Sequence, residues 1–508
     1  MQKTQEIENS KNKQTRLNIL HTVNIMLLFF NFILNFYGSP SLKTLYLIQA
    51  ILIFTSVILY QFEQIFLEII ILFFIEGQGR ILWQYEPWAR IAFDIITAFA
   101  VFKIFIIKKR FFDRKTIPSP LILLISIHFL WYIIQIFNLN AVTIIGSVAA
   151  TKLYVYPIFF FLAVSLSDIN PDSKYFKQAI TLFILLIFAE MALNYFQFTM
   201  KQNHLIGISS YYYKAMRDGI FTDKLFRPFA TTALPGVIAV YLYLTVGFIY
   251  FFPSNLKTTI IKALIIGASL FTLIICQIRS AMVKYLLVIA LIQFSLMFFR
   301  RFSLRSILPV FLALSLIILG GSNYSDKIFA SDNEDEDVNY AIARISTLTE
   351  MKKVKNERLT PNQFGKVLIN KLSQYPMGVG PGMTGAASSI NQDELKGNPL
   401  IKKDLLWTSD NLIISLALDL GIGGIFFLLL IIVIPLYFIK SLLKMYRDKD
   451  TDHYRYLSIC TCTIIVILIG NWGAVGLTYN PESFVYWFFS ALGFKVIRIA
   501  KNAKTIST

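Results

Sequence analysis

The chain has 508 residues, 56% of them hydrophobic and only 15% charged. No water-soluble domain could bury so large an apolar fraction around one core. The formal charge of +18 does not point to nucleic acid, because the lysines and arginines cluster in short turns between apolar blocks, where they set membrane topology.

The opening residues, 1–16, mix both charge signs and read as a cytoplasmic tail ahead of a retained first span. Apolar blocks then follow at 17–37, 43–60, 63–77, 88–107, 119–137, 142–167 and 177–198. Glu68 and Glu76 interrupt the third of these. Further blocks lie at 233–252, 258–278, 281–299 and 303–320, and a last group at 410–440, 454–472 and 483–498. Most are long enough to cross about 30 Å of hydrocarbon as a helix. The expected fold is an all-α polytopic membrane protein of about fourteen transmembrane helices.

Basic turns orient it. Lys108 to Lys115, Arg300 to Arg305 and Lys440 to Lys449 all fall on the side of both termini, which the positive-inside bias assigns to the cytoplasm. The expected organisation is a tail at 1–16, a bundle of about eleven helices over 17–320, a large extracytoplasmic loop at 321–405, about three more helices over 406–498, and a cytoplasmic tail at 499–508. An earlier outer loop, 199–232, carries a net charge of about +3 and the aromatic run Tyr211 to Tyr213, which fits an interfacial belt.

Within the large loop, Thr360 and Pro361 form a helix start, hydroxyl cap followed by proline. Phe364, Val367, Leu368 and Leu372 then repeat at helical spacing, predicting an amphipathic helix that lies on the membrane or packs on the bundle. Tyr375 and Pro376 end it. The turn that follows contains Gly378, Gly380 and Gly382, which let backbone amides approach an anion closely, although a tight turn alone would use the same residues. Asp410 and Asn411 open the next span, and Asn411, Ser415 and Asp419 are spaced as one polar stripe of about 12 Å. An acid in a first helical turn can simply serve the helix dipole; Asp419, deeper in the span, needs a partner or a cavity.

Arg227, Arg279 and Arg358 fall on the outer side of this topology, where basic residues are uncommon. Guanidinium groups grip phosphate oxygens in bidentate fashion and stay charged, so they mark a candidate site for a diphosphate. Lys152 is a further cation inside a span. Cys276, Cys460 and Cys462 lack metal-ligand company and read as small core residues. The four histidines have no ligand spacing, so neither a metal nor a cofactor is expected.

In this arrangement the chain resembles the O-antigen polymerase and O-antigen ligase superfamily. The resemblance covers about residues 145–440. It rests on Arg227-Pro228 ahead of a span, the Arg279-Ser280 hairpin, Arg358 before the Pro376–Gly382 turn, and Asn411 followed after nine residues by Gly421 and Gly424. Asp410 stands where family ligases carry a histidine, which favours a polymerase over a ligase and leaves the base open. The resemblance implies a GT-C-like bundle in a bacterial inner membrane, with its active site facing the periplasm or exterior. It implies an undecaprenyl-diphosphate-linked glycan as donor and acceptor, membrane lipid around it, and a chain-length regulator as a candidate partner. On that basis Arg227, Arg279 and Arg358 would hold the diphosphate, Asp410 would accept the acceptor's proton, and Asn411, the three glycines, Lys152 and Asp419 would line the substrate site. The alternative of another class is a lipid-linked oligosaccharide flippase.

Overall fold

A computed structural model of the chain describes residues 2–37, 41–83, 87–141, 144–200, 228–232, 235–252, 256–276, 279–298, 361–383, 411–448, 451–471, 476–478 and 481–507. The described elements are helical. In chain order they are α1 (Gln2–Tyr37), α2 (Leu42–Leu59), α3 (Phe66–Leu82), α4 (Pro87–Lys108), α5 (Ser119–Ile136), α6 (Ile144–Ala149), α7 (Thr151–Tyr154), α8 (Tyr156–Leu166) and α9 (Lys174–Met200). They continue with α10 (Pro235–Ile249), α11 (Leu256–Cys276), α12 (Arg279–Phe298), α13 (Pro361–Gln374), α14 (Leu412–Leu420), α15 (Gly424–Arg447), α16 (Thr451–Gly470) and α17 (Glu482–Ser507), with 3-10 turns at Gly421–Gly423 and Gly476–Thr478.

Ten helical segments among the described residues are long and apolar enough to cross a membrane, and the protein is therefore a multi-pass membrane protein. The expected spans at 63–77 and 88–107 are present as α3 and α4 but are not among the ten. α3 has 17 residues and carries Glu68, Glu76 and Arg80; α4 carries four charges along its length. α10 is a shorter apolar helix. The expected span at 303–320 lies outside the described residues.

Two of the expected spans are each one apolar segment, Ile144–Leu166 and Leu412–Arg447, interrupted along its length. The first is interrupted at Ala150 and again at Val155, and at the second interruption Pro157, at the start of α8, has no N–H with which to continue a helix from α7. The block at 410–440 is α14 and α15, parted at Gly421, whose φ is 60°. The expected tail at 1–16 is helical and continues without a break into the first apolar span, Thr15–Asn35.

The described helices fall into two compact units that interleave along the chain. The first comprises α1–α4 and α9–α11; the second comprises α5–α8, most of α12, and α13–α17. In hydrocarbon the hydrophobic effect does not draw helices together, so close packing and polar contacts must do so. In the second unit α17 is central: Trp487 and Tyr486 are fully buried, and Tyr486 donates to the Ile431 carbonyl at 2.6 Å. Arg498 pairs with buried Asp113 at 2.8 Å, so two segments predicted on one membrane face lie side by side.

In the first unit Lys103 of α4 reaches the end of α2. Its ammonium donates to the carbonyls of Val57, Ile58 and Tyr60 at 2.8, 2.6 and 2.7 Å. These are the acceptors a helix C-terminus leaves unmade, and a cation there also opposes the negative end of the helix dipole. Lys103→Ala should lower stability by about 2 kcal/mol, read as a reduced unfolding midpoint in detergent, and Lys103→Arg should restore part of the loss.

Candidate functional site

The second unit holds a junction at which the two broken spans meet the glycine turn. α14 begins at Leu412, capped by Asn411, whose side chain accepts from the amides of Ile413 and Ile414. Asn411 is thus a cap outside the helix, not the first member of a helical stripe. Ser415 and Asp419 are on α14 and are buried.

Asp419 has its partners. Tyr154, at the end of α7, donates its hydroxyl to Asp419 Oδ2 at 2.8 Å, and the Gly382 amide donates to the same oxygen at 3.2 Å. Ser415 shares a hydrogen bond with the Tyr154 phenol. Two discontinuous spans and the glycine turn are therefore tied through one buried carboxylate. Lys152, two residues before Tyr154, is half-buried in the last turn of α7.

The glycine turn is shaped by packing. Gly378, Gly380 and Gly382 have φ of 77°, 98° and 88°, a region that L-residues rarely occupy. A Cβ on Gly378 would lie 2.6 Å from the Gly421 nitrogen, and one on Gly421 would lie 2.3 Å from the Pro376 carbonyl. The amides of Gly378, Val379 and Gly382 donate to Tyr375 O, Leu418 O and Asp419. Ile422 N in turn donates to Pro376 O at 2.9 Å. This corrects the anion-nest expectation for Gly378 and Gly382: those N–H groups are used within the protein, and the glycines serve close backbone approach.

α5 and the residues just after it hold the turn from the other side. Gln135 donates to the Met377 carbonyl at 2.9 Å, Asn138 to the Met377 and Gly378 carbonyls, and Trp131 to the Leu420 carbonyl at 3.0 Å. The amphipathic helix at α13 is present and packs on α14: Val367 and Tyr375 lie against a core of Val379, Met383, Ile414 and Leu418.

The first unit holds a second feature, just after Arg227. Residues 228–232 form a tight buried turn fastened to α9. Gln197 accepts from the Phe229 and Ala230 amides at 3.1 and 2.8 Å and donates to the Ala230 carbonyl at 3.0 Å. Glu190 accepts from the Thr231 amide at 3.0 Å and from its hydroxyl. Ala230 is held at φ 51°, an uncommon backbone state for a residue with a Cβ, and such strain persists only where surroundings enforce it. Cys276 Sγ lies 3.7 Å from the Pro228 carbonyl and 3.5 Å from Asn194. Cys276 closes α11 three residues before Arg279, which opens α12. The segments flanking Arg227 and Arg279 therefore touch.

Arg227, Arg358 and Asp410 themselves lie outside the described residues, as do Thr360 and Tyr211 to Tyr213. Lys284, five residues past Arg279, is buried against Glu482 at 2.7 Å, and Asn471 bonds the same carboxylate at 3.2 Å. Its charge is thus neutralised within the second unit. The three cysteines are free and buried, as core residues would be.

Sequence reasoning missed Tyr154, Gln135, Asn138, Glu190 and Gln197. Glu190 carried a signal, because an acid inside an apolar span is costly and marks a specific contact. The others had none that composition or spacing reveals. Neither a protein-family model nor a curated protein matches the chain.

Glycines at the junction should tolerate no side chain. Gly378→Ala and Gly421→Ala should each cost about 3 kcal/mol, from positive φ and backbone overlap together. Gly365→Ala, within α13 where a Cβ meets nothing within 4 Å, should stabilise by about 0.8 kcal/mol. Thermal unfolding of the three variants in one detergent separates these outcomes.

Proposed function

We propose that this protein is a membrane glycosyltransferase that polymerises undecaprenyl-diphosphate-linked repeat units at the outer face of a bacterial inner membrane, on a GT-C-like bundle of about fourteen helices. The observation that carries the proposal is the contact between Pro228 and Cys276, which joins the segments bearing Arg227 and Arg279. Two guanidinium-bearing segments held together by buried, strained backbone support a diphosphate-binding role. Arginine geometry matches two phosphate oxygens at once and stabilises the charge that builds on a leaving diphosphate. The turn that follows Arg227 is fixed by Glu190 and Gln197.

Asp410 is assigned the acceptor's proton, through its carboxylate or an intervening water. Asn411 caps α14 and so fixes the backbone next to Asp410; Asp419 and the three glycines hold the junction and are positioning residues. Arg358 is a third candidate for the diphosphate. The product is a lengthened lipid-linked chain, with the undecaprenyl diphosphate leaving group released. The ligase reading is disfavoured by Asp410 in place of histidine. A flippase is the reading of another class, and the buried polar residues along α1–α3 favour it.

Complementation of a deletion strain tests the proposal. Arg279→Ala and Asp410→Asn should each reduce long surface glycan by at least about a hundredfold while the protein persists in the membrane. Arg279→Lys should remain poor, since a point charge lacks the bidentate fork. Single repeat units displayed outside support the polymerase; repeat units retained inside support the flippase. Normal chain-length ladders from all three variants refute the mechanism.

A further inference from the structure

The first unit contains a polar seam that neither the arginine-bearing turn nor the broken spans use. α1 has two different faces. Ile19, Met26, Phe29 and Phe30 are exposed, Phe29 at 66%, as side chains turned to lipid would be. On the opposite face His21, Asn24, Asn31 and Asn35 follow at helical spacing, and the three asparagines are buried. Residues 21 and 35 are separated by about 21 Å of helix rise, most of the hydrocarbon thickness.

Two neighbouring helices complete the seam. Gln49 of α2 donates to the Asn24 carbonyl at 3.2 Å, and Glu68 of α3 pairs with His21. Asn35 bonds back to Asn31, through both its carbonyl and its side-chain oxygen. Beyond these contacts, polar atoms remain without a protein partner: Nδ2 and Oδ1 of Asn24, Nδ2 of Asn31, Oδ1 of Asn35, Oε1 of Gln49 and Oε2 of Glu68. All five residues are fully or nearly fully buried.

Amides that merely glue helices together use up their donors and acceptors on each other. Here the unmatched atoms include both kinds. A cation site would collect acceptors and an anion site would collect donors. Water supplies both, and buried water characteristically bridges two to four such groups. Hydrocarbon can satisfy none of them.

We infer that the seam between α1, α2 and α3 is a hydrated file, in which water bridges Asn24, Asn31, Asn35 and Gln49 and solvates the His21–Glu68 pair inside the membrane. This does not depend on the glycosyl-transfer reading.

Phe29 and Phe32 give a direct test in the unmodified protein, because they share one helix but Phe29 is exposed and Phe32 is buried. Phe32 is 5% exposed and lies on the asparagine side. Hydroxyl-radical footprinting of the full chain in lipid nanodiscs labels side chains that touch water. Phe32 should be oxidised at least about tenfold faster than Phe29, since only the seam can bring water to it. Equal or slower oxidation of Phe32 means a dry seam and overturns the inference. Asn24→Leu with Asn31→Leu should then remove the Phe32 label while that at Phe111, in a loop of the second unit, is unchanged. Where the double variant does not fold, Gln49→Met should lower the Phe32 rate. Persistence of the label in the folded variants shows that these amides do not hold the water, and likewise overturns it.

Discussion

Backbone hydrogen bonding in a medium without water is the constraint on which the second unit depends. A helix satisfies its own N–H and C=O groups, so a break inside a span exposes several of them, and lipid offers no replacement. The break after Leu420 is possible because the Pro376–Gly382 turn runs alongside it. Leu418 O receives the Val379 amide at 2.6 Å, Leu420 O receives the Trp131 indole, and Ile422 N finds Pro376 O. The glycines are what permit this approach, since a Cβ on either Gly378 or Gly421 would overlap the other strand of backbone. At the α7 break the Tyr154 carbonyl is met by the His128 imidazole at 3.0 Å, and the Tyr154 hydroxyl is anchored on Asp419.

Charge follows the same rule. A cation or carboxylate held away from water needs a fixed partner or it shifts to its neutral form. Lys284 has Glu482 and Asn471, Arg498 has Asp113, and Glu190 receives two donors from Thr231. These groups are accounted for by structure. Glu190 is of particular consequence, because the turn it holds begins at the residue after Arg227. The α1–α3 seam differs in gathering six unmatched amide and carboxylate atoms from Asn24, Asn31, Asn35, Gln49 and Glu68, and that concentration is what marks it as hydrated.

Much of the architecture was legible beforehand, for physical reasons that are local. Blocks such as 119–137, 177–198 and 258–278 match α5, α9 and α11 within a few residues, because an apolar run of that length has no other way to satisfy its backbone in lipid. The amphipathic period of Val367, Leu368 and Leu372 placed α13 correctly for the same local reason. Glycine-rich composition near 378–382 identified a turn but left two readings open, an anion cradle or a close approach. Which one holds depends on what lies opposite, and residues some forty positions away decide it.

Composition and periodicity, then, determined that this is a helical, multi-pass membrane protein, and where nearly all the described helices run, since each span is an independent solution to the same solvent. Tertiary structure alone decided that Asp419 belongs to Tyr154 and Gly382, and that Pro228 touches Cys276. Those pairings join groups up to hundreds of residues apart, and only the packed chain, not any local preference, sets which of them meet.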